Sequence, residues 1–491
     1  MAKNKPVKPK SLARKPRGFP DKREDVLQAE LDMIERVTSV YRLWGFEGIE
    51  TGAFEYADAL GKFLPDQDRP NAGVFALEDD DEQWMALRYD LTAPLARFAA
   101  EHWDTLPKPF RRYAYGPVWR NEKPGPGRFR EFMQCDADTV GSGSPAADAE
   151  MVAMMAQAIR AAGAAEGRFV VRVNSRQLMS GLLDQIGTSD EGTRLTILRA
   201  LDKLDRLGLS GVADLLGEGR EDESGDYTKG AGLDAERIKT VLAFAEAGKS
   251  TRGETLDALA KALHGSEIAA QGLSELKVID SMLFALGAED NVVTFDPTVI
   301  RGLEYYTGPV FEGELLDEIT DEKGNTVRIG SIGGGGRYDG LVSRFRGEDI
   351  PSTGFSIGIS RLAAAMAITG QMETLSGPVV VLVLDQEHAS DSHALASRLR
   401  AANIRSEVYM GSSGMRAQMK YADRRGSPAV VIVGEDERAK GTVTIKDLIV
   451  GAQKAKAIKD NTEWRESRPG QVEVPLDGMV DTIRGMLEAQ K

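Results

Sequence analysis

FRRYAYGPVWRNEKPGPGRFREFMQCDADTV, residues 110–140, is the stretch on which the fold turns. Two extended runs flank EKPGPGR, whose prolines and glycines forbid continued pairing, so the stretch reads as two long antiparallel strands joined by a loop. Successive side chains on a strand point to opposite faces. Arg120 and Glu122 therefore share a face of the first strand, and Phe132, Gln134, Asp136 and Asp138 share a face of the return strand. A face so polar is either exposed to water or the floor of a polar pocket. Tyr113, Tyr115, Pro117 and Trp119 take the other face of the first strand, which favours the pocket. Cys135 alternates away from the polar face and reads as a packed thiol.

Upstream, apolar residues recur at helical spacing from Val26 to Leu43, and Gly45 stops that helix. LRYDLTAP places Asp90 and Thr92 two apart, facing together. Residues 150–164 read as a helix and RFVVRVN as a strand. From about 176 to 290 helical patterns dominate, broken by the acidic stretch GEGREDESGDYTKGAG, as in a helical insertion within a mixed domain. Strand-like sequence resumes at VVTFDPTVIRGLEYY and runs to GFSIGIS, ahead of the helix RLAAAMAI. After SGP at 376–378, VVVLVLD, HALASRLRAAN, RSEVYM, GMRAQMKYADRRG, PAVVIVG and TVTIKDL alternate strand and helix until two strands run together, with a last helix over 478–490. That pattern predicts a small α/β domain.

Within RGLEYYTGPVFEGE, residues 301–314, Tyr305 and Tyr306 point to opposite faces, so one packs while the other offers its hydroxyl elsewhere. Arg301, Arg120 and Arg361 come from distant segments, Arg361 near a helix start where free N–H groups favour anions. With the carboxylates they suggest a zwitterionic or phosphorylated ligand. SIGGGGRYDGL fits neither the Walker A nor the dinucleotide-binding spacing and reads either as a flexible loop or as a phosphate cradle. His102, His264, His388 and His393 are scattered without a metal motif, and no protein-ligated metal is expected.

With 62 basic and 76 acidic residues the 491-residue chain carries a formal charge of −14, which argues against a general nucleic-acid coat. Its single cysteine excludes an internal disulfide framework and suits a reducing compartment. No apolar run reaches membrane-spanning length and no signal peptide opens the chain, so the expected location is cytoplasmic. The start, AKNKPVKPKSLARKPRGFPDKR, has Asp21 as its only acid. Its prolines and scarcity of hydrophobes predict a disordered arm, either a solubilising tail or a transient contact for a polyanion.

Together these segments resemble the histidyl-tRNA synthetases, which are class II aminoacyl-tRNA synthetases, over nearly the whole chain beyond residue 20. RGLEYYTGPVFE and GGGGRYDGL are similar to the two histidine-specific signatures, WRNEKPGPGRFREF to class II motif 2, GFSIGISRL to motif 3, and the 24–43 helix with GFEGIETGAFEYADAL to motif 1. The resemblance implies an α+β fold, an antiparallel sheet flanked by helices and working as a homodimer. It divides the chain into the basic disordered arm (1–22), a first catalytic part with motifs 1 and 2 (23–175), a helical insertion domain (176–290), a second catalytic part with the histidine signatures and motif 3 (291–370), and an α/β anticodon-binding domain (378–491). Its implied partners are L-histidine, ATP and tRNA(His), with Mg2+ held mainly through the ATP phosphates and no membrane.

By the same resemblance, Asp90, Thr92 and Gln134 hold the α-ammonium of histidine, and Asp138 with Tyr306 the two ring nitrogens; Tyr305 also falls among the histidine-binding residues. Arg120 grips the α-phosphate and carboxylate, Glu122 the adenine amino group, and Phe132 with Arg361 sandwiches the base. Arg301 neutralises charge growing on the α-phosphate, which makes Arg301 and Arg120 the catalytic pair. Asp90 and Asp138 stand where many bacterial members have glutamate, Glu304 where aspartate is usual, Gly52 replaces the motif 1 proline, and Ser360 an acidic residue. A rival reading is a catalytically silent, histidine-sensing paralogue that regulates an enzyme of histidine biosynthesis; such paralogues typically lack the C-terminal domain and erode the arginines. A third is a class II synthetase for another amino acid.

Overall fold

The computed structural model describes residues 13–60, 73–125, 127–221, 225–300, 306–320, 326–372, 376–451 and 470–490. Arg301, Glu304 and Tyr305 lie outside the described residues. The chain divides into two compact units, Met1–Glu373 and Thr374–Lys491.

The first unit is built on an eight-stranded sheet. Its strands run in the order Glu47–Gly48, Phe110–Trp119, Glu131–Val140, Ser352–Gly358, Thr326–Arg337, Pro309–Thr320, Phe169–Ser175 and Val293–Phe295. The six inner strands pair antiparallel, and the short edge strands pair parallel. The expected hairpin is present, with Arg112 opposite Asp138, Ala114 opposite Asp136 and Gly116 opposite Gln134. Its first strand ends at Trp119, so Arg120 and Glu122 leave the strand and belong to the connection, a correction to the period-two reading. The polar face is the buried one, and the aromatic face is the wetter, with Tyr115 53% exposed.

One helix covers much of the other side. Pro145–Ala162 starts at Ser144, whose hydroxyl accepts from the Ala146 N–H at 3.3 Å, and stops at Gly163, left-handed at φ 117°. Its Met151, Met154, Met155 and Ile159 are fully buried in one core with Phe169, Val171, Phe311 and Ile357. Burying each such side chain contributes roughly 1.5–3 kcal/mol. Glu24–Leu43 adds Met33, Val37 and Tyr41 to that core, and the Tyr41 hydroxyl donates to the Cys135 carbonyl at 3.3 Å. Cys135 is buried, as its alternation predicts.

The glycine run is a strand rather than a flexible loop, and its Ser331, Gly333 and Gly334 border the cavity of this unit. It is the end of the strand Thr326–Arg337, between Pro309–Thr320 and Ser352–Gly358. A Cβ at Gly335 would sit 2.5 Å from the Phe311 ring and 2.6 Å from the Phe355 Cβ. At Gly336 it would sit 2.8 Å from the ring of Tyr306. The close packing of three strands requires the missing side chains.

The described residues of 176–290 are mostly helical and fall within the first compact unit. Leu178 and Leu182 of Arg176–Gln185, Ile197 of Glu191–Leu201 and Leu276 and Ile279 of Glu267–Ala285 share the core of the sheet. The acidic stretch that was expected only to break helices contributes a small hairpin, Gly219–Glu221 with Tyr227–Lys229.

The basic arm corrects the expectation of disorder over its described part. The Gly18 carbonyl accepts from the Arg130 N–H at 2.8 Å, and the Phe19 ring meets that of Phe75 edge-on at 5.7 Å. Lys22 Nζ lies 2.7 Å from the buried Glu30 carboxylate and 3.0 Å from the Ser360 hydroxyl. Residues 1–12 lie outside the described residues.

The second unit holds a five-stranded sheet in the order Ser406–Val408, Val379–Val381, Ala429–Ile432, Thr442–Asp447 and Gln471–Pro475. The first three strands are parallel and the last two antiparallel. Ala389–Ala401, Met415–Arg424 and Met479–Ala489 are the expected helices. The first strand is shorter than VVVLVLD suggests, and alternation missed the short helix Glu435–Lys440 and the strand Gln471–Pro475. Among the described residues no helix is long and apolar enough to cross a membrane.

Candidate active site

A cavity of about 1200 Å³ opens over the polar face of the hairpin. Arg120, Glu122, Phe132 and Gln134 line it from the hairpin and its loop, Asp90 from the segment before the Thr92–His102 helix and Thr92 from that helix's first position, Tyr306 from beside the glycine strand, and Arg361 from the start of Ile359–Ile368. Every described candidate except Asp138 therefore borders one cavity.

Its arginines are held in place. Arg120 donates through Nε to the Tyr89 carbonyl at 3.1 Å, and its guanidinium sits 5.2 Å from the centroid of Phe132. Arg361 donates to the Ile329 carbonyl at 3.2 Å. Asp90 accepts the N–H groups of Ala93 at 2.9 Å and Thr92 at 3.2 Å, so one of its oxygens anchors the helix start. Burial pushes the Asp90 carboxyl up, against those two N–H groups and the Arg120 charge. Burial likewise drives the Tyr306 hydroxyl upward, helped by Asp138, Asp90 and Asp136.

Beneath the cavity lies a charge cluster that alternation only half revealed. Arg112, with no exposed surface, lies 2.8 Å from Asp138 and donates to the Leu91 carbonyl at 2.9 Å. Asp138 also accepts from the Tyr338 hydroxyl. Its carboxylate thus sits behind the floor; a Cβ at Gly354 on the neighbouring strand would overlap it. The carboxylate that reaches the cavity is Asp136, to which the sequence reading assigned no role. On the cavity itself, the Gln134 Oε1 and both Asp136 oxygens are buried without a full hydrogen-bond partner among the described residues, with the Ser356 hydroxyl the only hydrogen-bonding group acting on Asp136. Buried polar atoms rarely go unpaired in proteins, so such a concentration at a cavity floor points to a polar ligand. Burial pushes the Asp136 carboxyl up to about 7, against the pull of Arg112 and with repulsion from Asp138.

The opposite wall was also missed. Arg176, Ser180, Glu191, Arg194 and Arg199 line the cavity from the helical region. Periodicity marks which side of a helix is apolar but not what its polar side confronts. The cavity as a whole offers guanidinium groups for phosphate or carboxylate, an aromatic face for a planar ring, and buried carboxylates for a cation or N–H donors.

The sequence pattern of the family described as Histidyl-tRNA synthetase matches residues 18–362, and that described as Anticodon binding domain matches 378–486. A protein of Caulobacter vibrioides named Histidine--tRNA ligase is 59% identical over 478 residues, 97% of each chain. One of the same name from Brucella ovis is 55% identical over 488 residues, covering 98% of this chain and 97% of its own. The crystal structure of histidyl-tRNA synthetase from Nostoc sp. PCC 7120 superposes with a TM-score of 0.73 at 29% identity, covering 97% of this chain and 99% of that one.

Proposed function

The chain belongs to the histidyl-tRNA synthetase family, and on that premise we propose how its cavity serves the reaction. Its activity is that of an ATP-dependent histidine–tRNA ligase: L-histidine and ATP give histidyl-adenylate and pyrophosphate, and the histidyl group then passes to the 3′ end of tRNA(His). The buried polar atoms of Gln134 and Asp136 on the cavity floor carry the site assignment that follows.

In the first step a histidine carboxylate oxygen attacks the α-phosphorus, a C–O–P bond forms, and the bond to the β-phosphate oxygen breaks with pyrophosphate leaving. Negative charge builds on the α-phosphate oxygens. Arg120, fixed by the Tyr89 carbonyl and stacked on Phe132, is oriented before substrate arrives, which suits it to bind that charge. Arg301 keeps the complementary role that the family resemblance implies. Phe132 and Arg361 take the two faces of adenine, and Glu122 its amino group. Asp90, Thr92 and Gln134 take the α-ammonium. The ring is read at the deep end by Tyr306, with Tyr305 among the histidine-binding residues, and by Asp136 on the cavity floor, while Asp138, the residue the family resemblance implies, backs that floor through Arg112. An apolar ring there strands buried polar groups, which is the strong form of discrimination.

Magnesium fits this donor set as the ATP complex. The cavity carboxylates suit an ammonium or an amino group, so the metal would be held through the triphosphate and would supply positive charge against the phosphates. A homodimer is supported by large apolar side chains left exposed, among them Leu43 at 87% on the first helix, and Phe54, Tyr56 and Trp84 on the small sheet formed by Phe54–Tyr56, Ala76–Glu78 and Trp84–Leu87. The lack of any long apolar helix among the described residues and the single buried cysteine support a cytoplasmic place. The arm, the two catalytic parts, the insertion and the anticodon-binding domain are proposed with the boundaries given above.

Two observations disfavour the silent regulator: the second unit matches an anticodon-binding domain, and Arg120 and Arg361 are both placed on the cavity. ATP–pyrophosphate exchange tests the reading. Exchange that requires histidine supports it. Exchange with threonine, proline or glycine instead would select another synthetase, and none with any amino acid the regulator.

A further inference from the structure

We propose that the N-terminal basic segment is part of the surface that receives the acceptor strand of tRNA, docked for that purpose against the loop at the mouth of the cavity. The proposal rests on the ligase activity and extends it to residues outside the catalytic fold.

The reaction dictates the path of the nucleic acid. The terminal ribose must reach an adenylate bound in the cavity, so a polyanionic strand must cross the cavity mouth. Glu122, Gly127, Arg128 and Phe129 line that cavity, all on the loop between the hairpin strands. The segment before the first helix is fastened to this loop. Gly18 accepts the Arg130 N–H at 2.8 Å, while the Arg130 guanidinium lies 6.0 Å from the centroid of Phe75, whose ring meets Phe19 at 5.7 Å. Arg130 in turn donates to the Glu122 carbonyl at 2.9 Å, so the same residue ties the loop to itself and to the arm. At its far end the segment is pinned by Lys22 on Glu30 and Ser360, the residue before Arg361.

A solubilising tail has no use for three anchors. The anchors leave the charges outward: Arg14, Lys15 and Arg17 are exposed, and among the described residues only Lys15 of the three forms an ion pair, at 3.7 Å with Asp21. Residues 1–22 hold eight Lys and Arg against one acid, in a chain whose formal charge is −14. Local cations are what a net-acidic protein needs to bind phosphates at one place, and each phosphate contact contributes about 0.7–0.9 to the slope of log affinity against log salt. The contact is to the backbone, so it adds affinity and position without reading sequence.

The test is the triple variant Arg14→Ala/Lys15→Ala/Arg17→Ala in the full chain, compared with Phe19→Ala, which keeps every cation and removes the aromatic anchor. Histidine-dependent pyrophosphate exchange should equal wild type in the triple variant. The KM for tRNA(His) should rise roughly 5- to 10-fold, with a salt slope shallower by about two. A minihelix of the acceptor stem should lose by the same factor, and Phe19→Ala should raise the tRNA KM in the same direction. An unchanged tRNA KM and salt slope in the triple variant would overturn the proposal, as would a loss seen with whole tRNA but absent from the minihelix. Absence of exchange in the wild type itself would instead fault the assigned activity.

Discussion

Arg112 and Asp138 face each other across the hairpin, the guanidinium fully buried and 2.8 Å from the carboxylate. Two charges removed from water this completely are tolerated because each compensates the other, and Leu91 and Tyr338 satisfy part of what remains. Arg112→Met leaves a buried unpaired carboxylate. It should destabilise the first unit by about 3–5 kcal/mol. Arg112→Met/Asp138→Leu should recover part of that loss. Thermal unfolding of Arg112→Met, Asp138→Leu and the double variant checks this, and additive losses would mean that the pair is not coupled.

Asp136 gives the apo protein a pH dependence. Its carboxyl is raised by burial to about 7, above its unfolded value, so its stabilising effect is complete below the unfolded value. It is lost as pH rises from about 4 through 7, because the unfolded chain ionises first. The melting temperature should therefore fall across that window and fall less in Asp136→Asn, the buried Asp90 and Asp138 carboxyls keeping a residual slope. If the cluster binds cationic or N–H groups of histidine, the histidine-induced thermal shift should grow between pH 6 and 8 in wild type and lose that growth in the variant. Differential scanning fluorimetry over pH reads both.

Phe132→Ala and Arg120→Ala weigh binding against chemistry, Phe132→Ala also costing some kcat because its ring supports the Arg120 guanidinium. Removing the ring should raise the KM for ATP about 10-fold, with the KM for histidine little changed. Removing the guanidinium should lower kcat for exchange about 10²- to 10³-fold, the scale of losing an oriented donor to developing charge. Steady-state exchange kinetics distinguish the two.

Gly335→Ala probes packing alone. Its Cβ would press on the Phe311 ring and the Phe355 Cβ, in a strand bounded on both sides. Overpacking of this kind costs about 1–3 kcal/mol. A lower melting temperature is expected, with exchange at low temperature largely kept.

The polar floor was legible in the sequence because a period of two puts Phe132, Gln134, Asp136 and Asp138 on one face, and that face is the buried one. Arg112 escaped notice although it lies on the same face. An arginine in an aromatic strand reads as a surface residue until the register sets it opposite Asp138. Which carboxylate meets the cavity was equally hidden, since alternation gives the face and not the depth. Arg176, Arg194 and Arg199 were missed because helical periodicity carries no information on what a polar side confronts. The described part of the arm escapes composition for a related reason. Its composition lacks a core of its own, but Phe19 finds Phe75 more than fifty positions away.

The most direct measurement of the central claim is a crystal structure with a non-hydrolysable sulfamoyl analogue of histidyl-adenylate. The account predicts adenine between Phe132 and Arg361, the sulfamoyl group at Arg120, and the imidazole against Tyr306 above the Asp136–Arg112–Asp138 cluster. An analogue bound elsewhere, or bound in this cavity with its ring turned away from Tyr306 and Asp136, would contradict it.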